Sequence, residues 1–243
     1  MRRLSLLCLS VLLACGDKTQ EAKQPAVKPS INPTAAVMQL ETLSRAPAGI
    51  EIKGDLDKVL RWHEADGEHV LVASHGSRAI KSSEIDEGVE DWVFAAQYLL
   101  QGQQYQMLWQ LNDSSGACPV DHLARFYQQG IQVTDLDGNG QREVTLAYRL
   151  QCAGDISPMR QKVILRERER KYALRGQTLD LVVENRAAAI PDEAICERMR
   201  KAKELSFADG CIESEAEFAH APKGFLAHAR QVWRKVLLEP PVP

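Results

Sequence analysis

The sequence predicts an α+β fold: a mainly antiparallel sheet laid down as a hairpin meander, with α-helices at the C-terminal end. Three observations predict it. Between residues 58 and 175, short apolar runs come in pairs around Gly-containing or charged turns. The links within those pairs are too short for the crossover helices that a parallel sheet needs. Helical periodicity enters only after Pro191, so strands precede helices instead of alternating with them.

The elements follow in order. Residues 34–45 (TAAVMQLETLSR) have the composition of a helical turn or more. Residues 58–75 place Val59, Leu60 and Trp62 before a turn at Ala65 to Glu68, with Val70, Val72 and Ala73 after it, which predicts a β-hairpin. Residues 92–111 repeat the arrangement around Gln101, Gly102 and Gln103. There Tyr105, Met107 and Trp109 alternate with Gln104, Gln106, Leu108 and Gln110, the period of a strand. The Ala-rich first half has helix propensity, but its aromatics and the turn favour strand. Residues 130–149 give two more strands, with Ile131 and Val133 leading in and Val144, Leu146 and Tyr148 leading out on one face. Residues 161–175 predict a hairpin pairing Val163 to Leu165 with Tyr172 to Leu174 and ending at Gly176. After Pro191, Ile195, Met199, Ala202 and Leu205 form a helical stripe, with Asp192 and Glu193 at the positive end of the helix dipole. A last helix over 223–238 gathers Phe225, Ala229, Val232 and Val236, flanked by Leu226, Trp233 and Leu237. Arg230, Arg234 and Lys235 lie on its other faces, and Pro240 and Pro241 stop it. Packing on the sheet is the expectation; contact with anionic lipid is the alternative for such a basic amphipathic helix.

The start of the chain is organised differently. Arg2 and Arg3 precede an apolar run, Leu4 to Leu13, that is shorter than the ~20 residues of a spanning helix. The run ends Leu12, Leu13, Ala14, Cys15. This resembles the lipobox of bacterial lipoproteins, in which the cysteine is lipidated and becomes the mature N-terminus. The resemblance implies a signal peptide over 1–14, lipid on Cys15, and a bacterial envelope location. With Gly16 and not Asp after the cysteine, that family's sorting pattern favours the periplasmic face of the outer membrane over the inner membrane. Residues 15–47 then read as a tether, with Pro25, Pro29 and Pro33 and no aromatic residue before residue 48. Such a segment buries too little apolar surface to offset its ordering entropy. Residues 48–243 are expected to form one globular domain. The chain's net charge is −3, more acidic once Arg2 and Arg3 are removed, which provides no electrostatic footprint for nucleic acid. Four cysteines remain beyond Cys15: Cys118, Cys152, Cys196 and Cys211. An even number in an exported chain points to disulfides. Three pairings are open; Cys118–Cys152 and Cys196–Cys211 are favoured because each closes a compact segment. No zinc-ligand spacing is present.

The stretch TDLDGNGQREVTL, residues 134–146, carries the main candidate site. Numbering Asp135 as position 1, side-chain oxygens fall at 1, 3, 5 and 9: Asp135, Asp137, Asn139 and Glu143. Gln141 sits at 7, where a backbone carbonyl serves. Ca²⁺ takes six to eight hard oxygen ligands, and this spacing aims such groups at one centre. An EF-hand does not fit, because position 12 is Leu146, position 8 is Arg142, and the flanks are strands. The loop resembles the D-x-D-G-[ND]-G-x-x-[DE] hairpin of FG-GAP and VCBS repeats, which implies a Ca²⁺ loop; with no second copy in the chain, a propeller is not expected. The competing reading is a metal-free hairpin with a type I′ turn at Asn139 and Gly140. A longer stretch is similar to a poorly characterised family of exported bacterial proteins. It comprises this loop, then Cys152, Asp155, Ser157 and Pro158, then Lys171 to Gly176. Some members carry a surface-polysaccharide label.

No catalytic residues are assigned. Ser74 to Ser77 (SHGS) lacks the G-x-S-x-G of a hydrolase elbow. His63, His69 and His75 recur every six residues and are read as surface or packing groups. Glu84, Asp86, Glu87, Glu90 and Asp91 are read as a solvated loop, and Asp155 and Ser157 as a turn. The favoured function is a non-catalytic binding or assembly module with an envelope protein or glycan as partner. The alternative is an envelope hydrolase or polysaccharide-processing enzyme using carboxylates.

Overall fold

The computed structural model describes residues 39–81, 87–180, 182–203 and 209–240. Cys15, most of the expected tether, Glu84, Asp86, Leu205 and Pro241 lie outside them. The chain forms β1 (Glu41–Leu43), β2 (Asp55–Glu64), β3 (Gly67–Ile80), β4 (Gly88–Gln101), β5 (Gln104–Ser114), β6 (His122–Thr134), β7 (Glu143–Cys152), β8 (Arg160–Glu167) and β9 (Arg170–Gln177). These are followed by α1 (Arg186–Ala189), α2 (Glu193–Ala202), β10 (Ile212–Ser214) and α3 (Phe225–Leu237). One sheet has the order β1-β2-β3-β4-β5 and the other β10-β9-β8-β7-β6. The expected α+β class is observed, with every strand pair antiparallel.

The two sheets pack face to face. Leu60, Trp62, Leu71, Val93 and Ala95 of the first meet Phe126, Val144, Leu146, Tyr148 and Ile164 of the second in one buried cluster. Each such large side chain contributes about 1.5–3 kcal/mol by leaving water. The outer face of the second sheet is also apolar. There Val163, Leu165, Tyr172 and Leu174 are covered by Phe225, Val232, Trp233 and Val236 of α3. The outer face of the first sheet is covered by Leu43, Ala46, Ile50 and Ile52, which pack on Val59, Val70, Val72 and Phe94. Strands β3, β4 and β7 are therefore buried on both sides over much of their length.

The expected hairpins are observed. In the last one Val163, Ile164 and Leu165 pair with Leu174, Ala173 and Tyr172, although the strand runs one residue past Gly176. Its turn turns on Arg168, which adopts a positive φ of 51°. Other expectations need correction. Residues 41–43 pair with β2 as a strand, so they belong to neither a helix nor a tether. Tyr105, Met107 and Trp109 do not share a face. A register shift sets Gln97 against Trp109 but Tyr98 against Met107, leaving Leu108 as the extra residue. Trp109 then enters the inter-sheet core while Tyr105 packs with the outer cluster; a bulge resets a strand's alternation by one residue. In α2 the buried side chain is Cys196, with Met199 beside it, while Ile195 is exposed. The bond from Cys196 to Cys211 turns that stripe inward. The last helix packs on the sheet as expected.

Both favoured disulfides are formed, with Cα separations of 5.6 and 5.4 Å. Cys118 pairs through its backbone with Val89 of β4, while its sulfur is bonded to Cys152 at the end of β7. This bridge straps one sheet to the other. A bulge in β6 spans Phe126 to Ile131, and the exposed N–H groups of Gln128 and Gln129 donate to the Glu239 carboxylate just past α3. Gly130 is needed here, because a Cβ would lie 2.8 Å from the Ala147 side chain and carbonyl.

Under α3, His228 Nε2 lies 3.1 Å from Thr145 Oγ1. Burial pushes this imidazole below its ordinary value of 6.5. A histidine depressed in the folded state binds its proton more readily when unfolded, so its contribution is complete above pH 6.5 and is lost as pH falls below it. Thermal unfolding at pH 7.5 and pH 5 should thus show a smaller acid-induced drop for His228→Gln than for wild type, with each kcal/mol worth about 2–4 °C. Equal drops would show that the imidazole does not titrate in that range.

Candidate functional site

The acidic loop runs from the end of β6 to the start of β7, with Thr134 opposite Glu143 closing it. Gly138 and Gly140 adopt positive φ of 73° and 82°. Asn139 does not, so the pair cannot be the type I′ turn that needs positive φ at both positions. The loop is instead held by its own side chains. Asp137 Oδ1 accepts from the Asn139 N–H (3.2 Å), and Asn139 Oδ1 accepts from the Gln141 N–H (2.6 Å).

Asp135, Asp137 and Glu143 each bring an oxygen to within 4.8 Å of the others. Asp137 is exposed at the rim, and Glu143 is fully buried on β7. Glu143 Oε2 accepts from Thr134 Oγ1 and from the Leu136 N–H, both at 2.9 Å. Glu143 Oε1 is buried with no hydrogen-bond partner among the described residues. Burial pushes this carboxyl up despite those two donors, and Asp137 adds to the rise. Leaving a carboxylate oxygen in this state is costly unless a cation or proton meets it. The donor set of three hard carboxylate oxygens fits Ca²⁺ or Mg²⁺ chemistry, not that of a soft metal.

The side chains of the other two loop residues are engaged elsewhere. Asn139 turns its amide nitrogen to Asp137 Oδ2 (3.1 Å) and to Glu167 Oε1 (2.8 Å), so its side chain braces the rim. At Gln141 the expected ligand atom is the backbone carbonyl; its side-chain oxygen accepts from Arg168 Nε (3.3 Å). Arg142 pairs with Asp135 at 2.8 Å and is the protein's own competitor for that carboxylate.

Beside the loop stands a second acidic group that the sequence did not reveal: Glu64, Asp66 and His69. Arg168 reaches across from the β8–β9 turn to Glu64 (3.0 Å) and Asp66 (2.6 Å). Burial alone would raise the Asp66 carboxyl, but hydrogen bonds from Arg168 and His69 outweigh it and hold it at about 2. Trp109 Nε1 can only donate, so Gln97 Oε1 faces it (2.8 Å) and the Gln97 amide donates to His69 Nδ1 (3.0 Å). That leaves the proton on His69 Nε2, which donates to Asp66 at 2.8 Å. Every group here is already partnered, and the network ties the two sheets together. A spaced Glu-x-Asp-x-x-His in a hairpin turn is the one signal that pointed there.

The remaining candidates separate. His63 is mostly exposed and lies beside Glu68, while His75 bonds Asp57 (2.8 Å), so the three histidines share no site. Ser74 to Ser77 lie in the middle of β3 and form no elbow. Asp91 is buried, not solvated as expected of the acidic run. It accepts from Ser77 Oγ and lies 2.9 Å from His122 Nδ1. A serine nucleophile needs histidine between serine and aspartate; here the aspartate is in the middle. Glu90 pairs with Arg78. Asp155 accepts from the Ser157 N–H at 3.0 Å, a turn as expected. Among the described residues no helix is long and apolar enough to cross a membrane.

Fold and site together define a two-sheet, disulfide-strapped sandwich with a carboxylate-lined loop at one end. Compared with protein-family models, with curated proteins and with solved structures, the chain matches none.

Proposed function

We propose that this chain is a lipid-anchored binding or assembly module of a bacterial envelope, and that its acidic loop holds a structural Ca²⁺. The observation that carries the ion is the buried, unpartnered Oε1 of Glu143 beside Asp135 and Asp137. The anchor rests on Leu12 to Cys15 and the Pro-rich segment after it. The non-catalytic reading is supported by how the titratable groups are used. Asp91, Glu64, Asp66 and His69 each bind another part of the scaffold, so none is left to move a proton for a substrate. Envelope proteins or glycans are the partner classes consistent with that location, on the periplasmic face of the outer membrane.

Unfolding of the chain from residue 34 onward, in EDTA and then in 5 mM Ca²⁺ or Mg²⁺, tests the ion. With a Kd of about 10⁻⁴–10⁻³ M, as in extracellular Ca²⁺ modules, 5 mM Ca²⁺ stabilises the fold by about 1–2 kcal/mol. That is a rise of roughly 2–8 °C at this size. The rise should vanish in Asp137→Ala, whose side chain is at the exposed rim. A wild-type protein indifferent to Ca²⁺ would leave the loop metal-free. Labelling with radioactive palmitate in a bacterial host, lost on Cys15→Ala, tests the anchor.

A further inference from the structure

The inward face of the β8–β9 hairpin carries cations in an unusual register. Lys162 stands directly opposite Arg175, and Arg166 directly opposite Lys171, with Ile164 and Ala173 paired between them. Like charges directly opposite on antiparallel strands repel at Cβ separations of about 5 Å. The outer pair is neutralised from elsewhere. Lys162 donates to Asp113 at 2.5 Å, with the Tyr148 hydroxyl on the same oxygen at 2.7 Å, and Arg175 pairs with Glu217. Arg166 and Lys171 have no carboxylate partner among the described residues. The Arg166 guanidinium lies 4.8 Å from the centre of the Trp109 ring, and its Nε and Nη1 are buried with no hydrogen-bond partner. Burial pushes this guanidinium down from its ordinary value. The four cations line a cleft of about 260 Å³ between the hairpin and the edge strand β5, together with Gln110, Asn112 and the Asp113 carboxylate that Lys162 already neutralises. All this stands on a chain whose net charge is −3.

Two cations side by side without a carboxylate partner form half of an ion-pair network. The missing half is an anion. A planar guanidinium fork binds an oxyanion through two parallel hydrogen bonds, and a neighbouring ammonium adds a point charge. A +2 pair matches a dianion better than a carboxylate monoanion. We propose that this cleft binds a phosphate-class dianion, as free phosphate or as the phosphoryl group of a larger ligand, held between Arg166 and Lys171 with Trp109 beneath. The site lies at the same end of the second sheet as the acidic loop, where Glu143 stands opposite Glu167 and Val144 opposite Arg166, but its lining uses none of the loop's side chains.

Calorimetric titration and thermal unfolding of the full chain in detergent, with inorganic phosphate, glycerol 3-phosphate and acetate as probes, test this. Phosphate should bind and raise the melting temperature, and acetate should bind at least tenfold more weakly. Glycerol 3-phosphate separates the two sources: tighter binding than inorganic phosphate marks the phosphoryl group of a larger ligand, and weaker binding marks the free ion. Arg166→Gln and Lys171→Gln should each lose at least tenfold in phosphate affinity, while Lys201→Gln on α2 should bind as wild type does. Lys171 is exposed, so its variant folds. In phosphate-free buffer it should melt no lower than wild type, since it relieves a repulsion. Absence of phosphate binding to the wild-type chain, equal affinity for acetate, or unchanged affinity in Lys171→Gln overturns the proposal.

Discussion

Truncating Trp233 to alanine is expected to cost the domain about 3–5 kcal/mol, the range for removing a buried tryptophan. The residue is only 2% exposed in the layer between α3 and the outer face of the second sheet. Its indole nitrogen donates to the Gly210 carbonyl at 2.8 Å, and its ring passes over Gly176. The change therefore opens a cavity and strips a buried carbonyl of its donor at once. At this size the melting temperature should fall by about 6–20 °C. The neighbour Arg234 faces solvent, and its alanine variant should stay within about 0.5 kcal/mol of wild type. Urea unfolding followed by far-ultraviolet circular dichroism would measure both. A loss below about 1 kcal/mol for Trp233→Ala would mean that α3 does not carry the outer layer.

The second large effect is expected from removing the bridge between the sheets. Cys118→Ser with Cys152→Ser deletes a crosslink over a sequence separation of 34 residues. On the chain-entropy model, that frees the unfolded state by about 4 kcal/mol. The native state also loses the strap from the Val89 end of β4 to the end of β7. The double variant should unfold at lower urea with a slope at least as steep as wild type's, because the unfolded chain without the crosslink is less compact. Removing Cys196 and Cys211 instead should act locally. That bond joins α2 to the start of β10 in a small satellite cluster, so amide exchange should quicken in α2 while the sandwich strands stay protected. A double variant of Cys118 and Cys152 as stable as wild type would mean that the sheets hold together by their apolar faces alone.

Much of the fold was legible in the sequence because its signals are local. Turn residues at Asp66–Gly67 and Gln101–Gly102 end strands through backbone conformation, whatever surrounds them. The alternation of Val144, Leu146 and Tyr148 marks a face because strand geometry has a period of two. The 3.6-residue spacing of Phe225, Ala229, Val232 and Val236 marks a helix that must bury one side. The two cysteine pairs were favoured because each closes a short segment. The acidic loop was legible as a set of oxygens at odd spacing.

Other features depended on what the chain brings together at long range. Which side chain fills the core at β5 hinged on one extra residue at Leu108, and a bulge leaves no mark on composition. The face that α2 turns inward was set by the bond to Cys211. Of the groups read from the loop, the carboxylates of Asp135, Asp137 and Glu143 converge, while Glu167 of a distant turn draws the Asn139 amide to the rim. The partners that Arg168, Gln97 and Trp109 bring to Glu64, Asp66 and His69, and the Trp109 ring beside Arg166, were not legible for the same reason. Those contacts join residues far apart in sequence, and their meeting depends on how one sheet lies over the other. The sequence by itself thus determined elements, turns and the chemistry available, since those follow from each residue and its near neighbours. Only the tertiary structure decided which of those groups meet, which are left without a partner, and so where a ligand is wanted.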